Sequence, residues 1–226
     1  PVAAEVFAAS PAHDDWRQFS NPDTMRKHNM IVDRHIRDVP SAKTVVALVM
    51  AGGAGSGKGS VIQWLQRNEF IHKSFAKLDV DVFRTYLDPW IDAVAVRKRG
   101  ATGTSNDIMD EAVRDTQSEA GYLNELAAIQ CAARRRHFIY DGTLRDKARF
   151  EAFFDRIKSL AKDIKIIVAF VDTPEAECLL NAEEREKKEH RSVPPDFVVK
   201  SNEEARQTID DLQGHCMVDL LVRISN

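Results

Sequence analysis

The sequence predicts an α/β fold in which a parallel sheet of about five strands carries helices on both faces. Three observations carry that expectation. Short runs of β-branched and apolar residues recur along the chain, apolar enough throughout to be buried on both faces. Stretches with apolar residues at helical spacing separate them, which calls for right-handed crossovers between parallel strands. The first run passes directly into a glycine-rich segment and then into a helical pattern.

Taken in order, residues 1–20 read as a loose leader and 21–226 as a single domain. The leader has neither a basic stretch nor a long apolar core, so no signal peptide is expected. Asn21-Pro22-Asp23 offers a helix start, with Asn21 or Asp23 as the cap and Pro22 in the first turn. Met25, Met30, Ile31 and Ile36 give that helix an apolar face, and it must stop before Pro40. Residues 44–50 (TVVALVM) form the central strand, and Val61, Ile62, Trp64 and Leu65 mark the helix after the glycines. A second strand is expected at 75–80 (FAKLDV), a long amphipathic helix at 107–134 and a third strand at 137–140 (HFIY). Phe150, Phe153, Phe154, Ile157 and Leu160 give a helix over 146–162. A fourth strand at 164–171, helices at 174–189 and 196–212, and a last strand at 217–224 complete the alternation.

The 226 residues are 43% hydrophobic and 30% charged, enough for one α/β domain with a sizeable core. A net charge of −3 gives no electrostatic reason to expect nucleic acid or an anionic membrane as partner. No apolar run is long enough to span a bilayer. Cys131, Cys178 and Cys216, odd in number and in apolar stretches, read as reduced core residues of a cytoplasmic protein. The histidines show no metal-ligand spacing. Arg134-Arg135-Arg136 reads as the end of the long helix, where cations complement its dipole, and Arg97-Lys98-Arg99 as solvated loop. Trp90 is the tryptophan best placed to stack on a ligand ring.

The segment Gly52-Gly53-Ala54-Gly55-Ser56-Gly57-Lys58-Gly59-Ser60 contains G-x-x-x-x-G-K between a buried strand and a helix. Glycines admit the positive φ angles that turn successive N–H groups inward, and the helix N-terminus adds its dipole. The segment reads as a P-loop, so a P-loop NTPase/kinase fold is expected, with ATP or GTP and Mg²⁺ as the expected ligands. Lys58 reaches the β- and γ-phosphates. The residue after the lysine, normally Ser or Thr, is Gly59 here. Ser60 becomes the metal hydroxyl, in an arrangement resembling the G-K-G-T of adenylate-kinase-type enzymes.

Asp79 and Asp81 stand where the second strand runs out. In an open α/β sheet that end faces the ligand crevice. A carboxylate there can take an acceptor's hydroxyl proton, and either residue could instead cap the next helix. One of the two is expected to be catalytic.

With Asp79-Val80-Asp81-Val82-Phe83, Asp141-Gly142-Thr143-Leu144-Arg145, Glu184-Arg185-Glu186 and Arg191-Ser192-Val193-Pro194 in this order, the chain resembles the zeta-toxin-like P-loop kinases over residues 25–224. Bacterial members of that family phosphorylate UDP-N-acetylglucosamine. The resemblance implies that Asp81 is the base, that Lys58 binds phosphate, and that Arg185 and Arg191, on a short lid, clamp the transferring group. It implies an acceptor site with Asp79, Arg84, Glu125, Gly142, Thr143 and Arg145, and an antitoxin-like inhibitory protein as partner. Arg145 could be an ordinary surface arginine, and Arg185 part of a solvated charged face. The residues after Leu87 have no assigned counterpart. The expected activity is γ-phosphoryl transfer to a hydroxyl of a small metabolite. The alternatives are a nucleoside monophosphate kinase, a polynucleotide 5′-hydroxyl kinase, and a nucleotide-binding module without transfer.

Overall fold

The computed structural model describes residues 18–99, 105–189, 192–213 and 216–226. Five strands, β1 (Val46–Ala51), β2 (Ala76–Asp79), β3 (Phe138–Asp141), β4 (Lys165–Asp172) and β5 (Leu220–Ser225), form one sheet in the order β2-β3-β1-β4-β5. Every pairing is parallel. The helices are α1 (Pro22–Ile36), α2 (Lys58–Arg67), α3 (Val80–Arg84), α4 (Asp88–Lys98), α5 (Ser105–Ala133), α6 (Lys147–Leu160), α7 (Glu175–Glu189) and α8 (Pro195–Leu212). None of those described is long and apolar enough to cross a membrane.

Alternation along the strands builds two cores. Val45, Ala47, Val49 and Ala51 join residues of β2, β3 and β4 in the larger core, covered by α1, α5, α6 and α8. Leu48 and Met50 point the other way and meet Val61 and Ile62 of α2. Phe150, Phe153, Phe154 and Ile157 of α6 are all buried in the larger core. Each such side chain contributes about 1.5–3 kcal/mol on leaving water. At the N-terminal end of the fold, Asn21 caps α1 by accepting from the N–H of Asp23 at 3.0 Å.

The second strand is shorter than its sequence pattern. It stops at Asp79, whose side chain accepts from Asp81 N–H at 2.9 Å and starts α3, so Val80 is already helical. The stretch after Leu87 is the helix α4, started by Pro89 in its first turn. Trp64 is exposed and stacked on Phe70, on the surface and not in a core. Cys131 and Cys178 are buried and free, whereas Cys216 is exposed.

The register sets the site. Cα partners place Met50 beside Asp141 and Asp141 beside Asp79, so β1, β3 and β2 end level with one another. The chain leaves β1 toward the β2 edge and later crosses to β4 on its other side. The crevice at that reversal is where doubly wound sheets bind ligands.

Candidate active site

The loop from β1 to α2 holds its glycines at the angles the motif requires. Gly52, Gly55 and Gly57 have φ of 138°, 74° and 84°. Gly57 begins α2 in the left-handed region with no side-chain cap. Among the described residues, the N–H groups of Gly55, Gly57, Lys58 and Gly59 take no internal acceptor. Uncapped donors at a helix N-terminus form an anion cradle.

The carbonyls of the same loop are tied elsewhere. Thr173 Oγ1 donates to Ser56 O at 2.8 Å, and Asn181 Nδ2 to Gly55 O at 2.8 Å. Asn202 Nδ2 donates to Ala54 O at 3.0 Å, while its Oδ1 accepts from Gly53 N at 3.2 Å. Ser201 Oγ accepts from Ala54 N at 3.0 Å. Negative ends are thereby braced by α7, α8 and the end of β4, and positive ends are left for a ligand. The buried Ser56 hydroxyl has no partner among the described residues.

Lys58, half-buried, folds over the loop and donates through Nζ to Gly52 O at 2.8 Å and Gly53 O at 3.1 Å. Burial holds its ammonium below the ordinary lysine range; Asp141 and Asp79 oppose that, and Arg185 adds to it. The converse holds for Asp141, whose carboxyl is pushed up by burial, with Lys58 pulling down and Asp79 pushing up. These groups feel one another because the level strand ends face one crevice.

Asp79 ends β2 and caps α3, and Asp81 sits in the first turn of α3, so the two are separated by a strand-to-helix change. Its Oδ1 pairs with Arg84 Nη1 and its Oδ2 accepts from Arg185 Nη2 at 2.6 Å. The structure thus brings Asp81, Arg84 and Arg185 together. Arg84 is fully buried. Arg191 lies outside the described residues, as do residues 1–17 of the leader. Next to it, Ser192 donates from N at 3.0 Å and from its hydroxyl to the Asp110 carboxylate of α5, tying the lid segment to that helix.

The remaining acceptor-site expectations fall in different surroundings. Thr143 O accepts from Gly52 N at 3.3 Å, joining its loop to the cradle. Gly142 leaves room for Tyr140, whose ring edge lies 3.0 Å from where a Cβ would stand. Arg145 is exposed, its guanidinium 5.1 Å from the centre of the Phe197 ring. Glu125 is buried, and its Oε1 accepts from both Nε (2.7 Å) and Nη2 (2.6 Å) of Arg149. Burial pushes its carboxyl up to about 7 against the pull of Arg149. Trp90 packs over the Arg84 guanidinium at 5.8 Å.

Sequence reasoning did not single out Asp141 itself, or the braces Thr173, Asn181, Ser201 and Asn202. A carboxylate at a strand end between two paired strands was a readable signal for Asp141; the braces had none. No cluster of three or more His, Cys, Asp or Glu that could hold a metal occurs among the described residues. The donors do suit Mg²⁺ held chiefly by water and phosphate oxygens. A Cβ at Gly59 would meet nothing within 4 Å, so the usual hydroxyl's place is open space, with Ser60 exposed on the same turn. Asp141 supplies a hard oxygen nearby.

Comparisons with known proteins bear on the fold and the family. Among curated proteins no sequence relative is found. Among solved structures, a chain of the PezAT chromosomal toxin–antitoxin system of Streptococcus pneumoniae superposes with a TM-score of 0.65 at 17% identity, over 88% of this chain and 76% of that one. The AvrRxo1-ORF1:ORF2 complex with ATP gives 0.61 at 14% identity, over 96% and 69%. A putative kinase from Chloroflexus aurantiacus gives 0.52 at 12%, over 81% and 89%. These likenesses show a shared fold. The zeta toxin family model matches residues 31–226, and the chain belongs to that family of P-loop kinases.

Proposed function

We propose that the protein transfers the γ-phosphoryl group of ATP or GTP to a hydroxyl of a small metabolite, with a nucleotide sugar such as UDP-N-acetylglucosamine as the first acceptor to test. The observation that carries this reading is the carboxylate of Asp81, held against the lid arginine Arg185 at 2.6 Å in the crevice that also holds Lys58. A kinase acting on a phosphate acceptor needs no base, so a carboxylate in the first turn of α3 engaged by a lid cation favours a hydroxyl acceptor.

The nucleotide's phosphates would lie on the free N–H groups of Gly55, Gly57, Lys58 and Gly59. Lys58 exchanges the loop carbonyls for phosphate oxygens, and Arg185 turns from Asp81 to the γ-phosphate, gripping it through two donors. The acceptor oxygen then attacks phosphorus as its proton passes to Asp81. The bond from phosphorus to the bridging oxygen breaks, and the nucleoside diphosphate leaves. Ser60 and Asp141 would hold Mg²⁺, which when bound neutralises charge on the phosphates. Thr143 and Arg145 would line the acceptor side. An inhibitory protein partner is part of the same proposal, supported by the toxin–antitoxin origin of the structurally similar PezAT chain.

The test is a γ-phosphate transfer assay with Mg²⁺, offering UDP-N-acetylglucosamine, nucleoside monophosphates, NAD and 5′-hydroxyl oligonucleotides in parallel. Asp81→Asn should lower transfer by about 10²–10⁴-fold with nucleotide binding kept. Lys58→Ala should weaken both. Tight nucleotide binding with transfer to none of these acceptors, or transfer undiminished in Asp81→Asn, overturns the proposal.

A further inference from the structure

A buried guanidinium needs its donors answered and its charge balanced, because removing it from water costs several kcal/mol. Arg84 satisfies this with groups from three helices. Its Nε donates to Thr116 Oγ1 at 3.0 Å and its Nη2 to Gln117 Oε1 at 2.6 Å, both on α5. Trp90 of α4 lies against its face, and its Nη1 pairs with Asp81 on α3. An apolar residue would fill that space at less cost. The cation adds a grip on Asp81 that an apolar residue would lack.

The two arginines that hold Asp81 differ in freedom. Arg84 is 1% exposed and enclosed by α3, α4 and α5. Arg185 is on the lid helix with its side chain 44% exposed, able to turn away. One carboxylate oxygen is therefore permanently occupied, and the other can be exchanged.

We propose that Arg84 is a positioning residue that fixes one oxygen of Asp81, so that the oxygen now paired with Arg185 is the one that receives the acceptor's proton. The inference rests on Asp81 being the base. Among the described residues, the charged groups facing Asp81 include Arg84 on α3, Arg185 on α7 and Asp141 at the end of β3, while Asp79 takes its backbone N–H. Of these, Arg84 is the one the substrate does not reach.

The experiment follows the carboxylate of Asp81 by NMR in the full chain labelled with carboxyl-¹³C aspartate, the resonance assigned by its loss in Asp81→Asn. In Arg84→Gln it should titrate about one pH unit or more higher than in the wild type, the size expected for removing an adjacent opposite charge. Arg84→Lys should recover most of that shift. Gln117→Ala, which removes an exposed partner of Arg84, should fold normally and move the titration in the same direction by less. Transfer to UDP-N-acetylglucosamine, measured alongside, should lose kcat in Arg84→Gln while KM for ATP stays within about two-fold. An Asp81 titration unchanged in both Arg84→Gln and Gln117→Ala, with unfolding midpoints lowered, would mean a structural role only and overturn the inference. Transfer that survives in Asp81→Asn would instead remove the base reading, an outcome the titration does not depend on.

Discussion

Substituting alanine at Gly55 and at Gly59, four residues apart in one loop, should have opposite effects. Gly55 has φ of 74°, and a Cβ there would stand 2.8 Å from the carbonyl carbon and 3.0 Å from the Cα of Cys178. Those atoms belong to the backbone of α7 and cannot rotate aside. The left-handed angle costs a β-carbon about 1–2 kcal/mol. Forcing extra volume against packed backbone costs about 1–3 kcal/mol more. Gly59 is in the first turn of α2, where a Cβ meets nothing within 4 Å. Alanine there should gain about 0.5–1 kcal/mol from a stiffer unfolded chain. In a domain of this size each kcal/mol moves Tm by about 2–4 °C. Gly55→Ala should therefore unfold about 4–20 °C lower, and Gly59→Ala about 1–4 °C higher. Thermal unfolding followed by circular dichroism measures both, and titration with a non-hydrolysable ATP analogue tells whether the cradle survives. Gly55→Ala should lose binding because its N–H donors move with the α7 contact; Gly59→Ala should keep it. A Gly55→Ala protein that melts with the wild type and binds normally would refute the packing argument. So would a Gly59→Ala protein as damaged as Gly55→Ala.

Glu125→Gln should change how stability depends on pH. Burial places the folded carboxyl at about 7 against an ordinary 4.5, so its favourable contribution is complete below 4.5 and is lost as pH rises through 7. The wild type should fall behind Glu125→Gln by about 3 kcal/mol between pH 4 and 8 in urea unfolding, and parallel curves would contradict this. Asn202→Ala strips Gly53 N and Ala54 O of partners. It should cost about 1–3 kcal/mol and weaken analogue binding, with urea unfolding and calorimetry as the measures. Asp110→Ala removes both bonds to Ser192, so the lid segment should exchange its amide hydrogens faster in mass-spectrometric exchange, while exchange in β1 and β3 stays as it was.

Much of this molecule could be read locally. The strand at 46–51 announced itself by uniform apolarity, the P-loop by glycine spacing, and α1 by the Asn21-Pro22-Asp23 start, because each signal lies within a few residues of its effect. The short α3 was hidden by the alternating Leu78-Asp79-Val80-Asp81-Val82, a strand pattern until Asp79 is seen to cap. The helix α4 has its apolar residues on no single stripe, and only Pro89 marked its start. In the site, Lys58 was legible from the motif. The pairing of Glu125 with Arg149 and the clamp of Ser201 and Asn202 on the loop were not, since partners 24 to 149 residues apart leave no trace in local pattern. Arg84 shows the limit well. An arginine beside a strand end reads as a ligand contact, and only the packing of α5 and Trp90 around it reveals an interior residue.

The braces of the P-loop also set a timetable for its birth. Thr173, Asn181, Ser201, Asn202 and Asn226 hold loop atoms that precede them by 117 to 170 residues. At a synthesis rate of about 5–20 residues per second, the loop leaves the ribosome roughly ten to thirty seconds before its last partners exist. During that interval its glycines have nothing to hold them at their positive φ angles, and nucleotide finds no organised donors. Phosphate binding is expected to begin only once α8 packs against the loop and β5 joins the sheet.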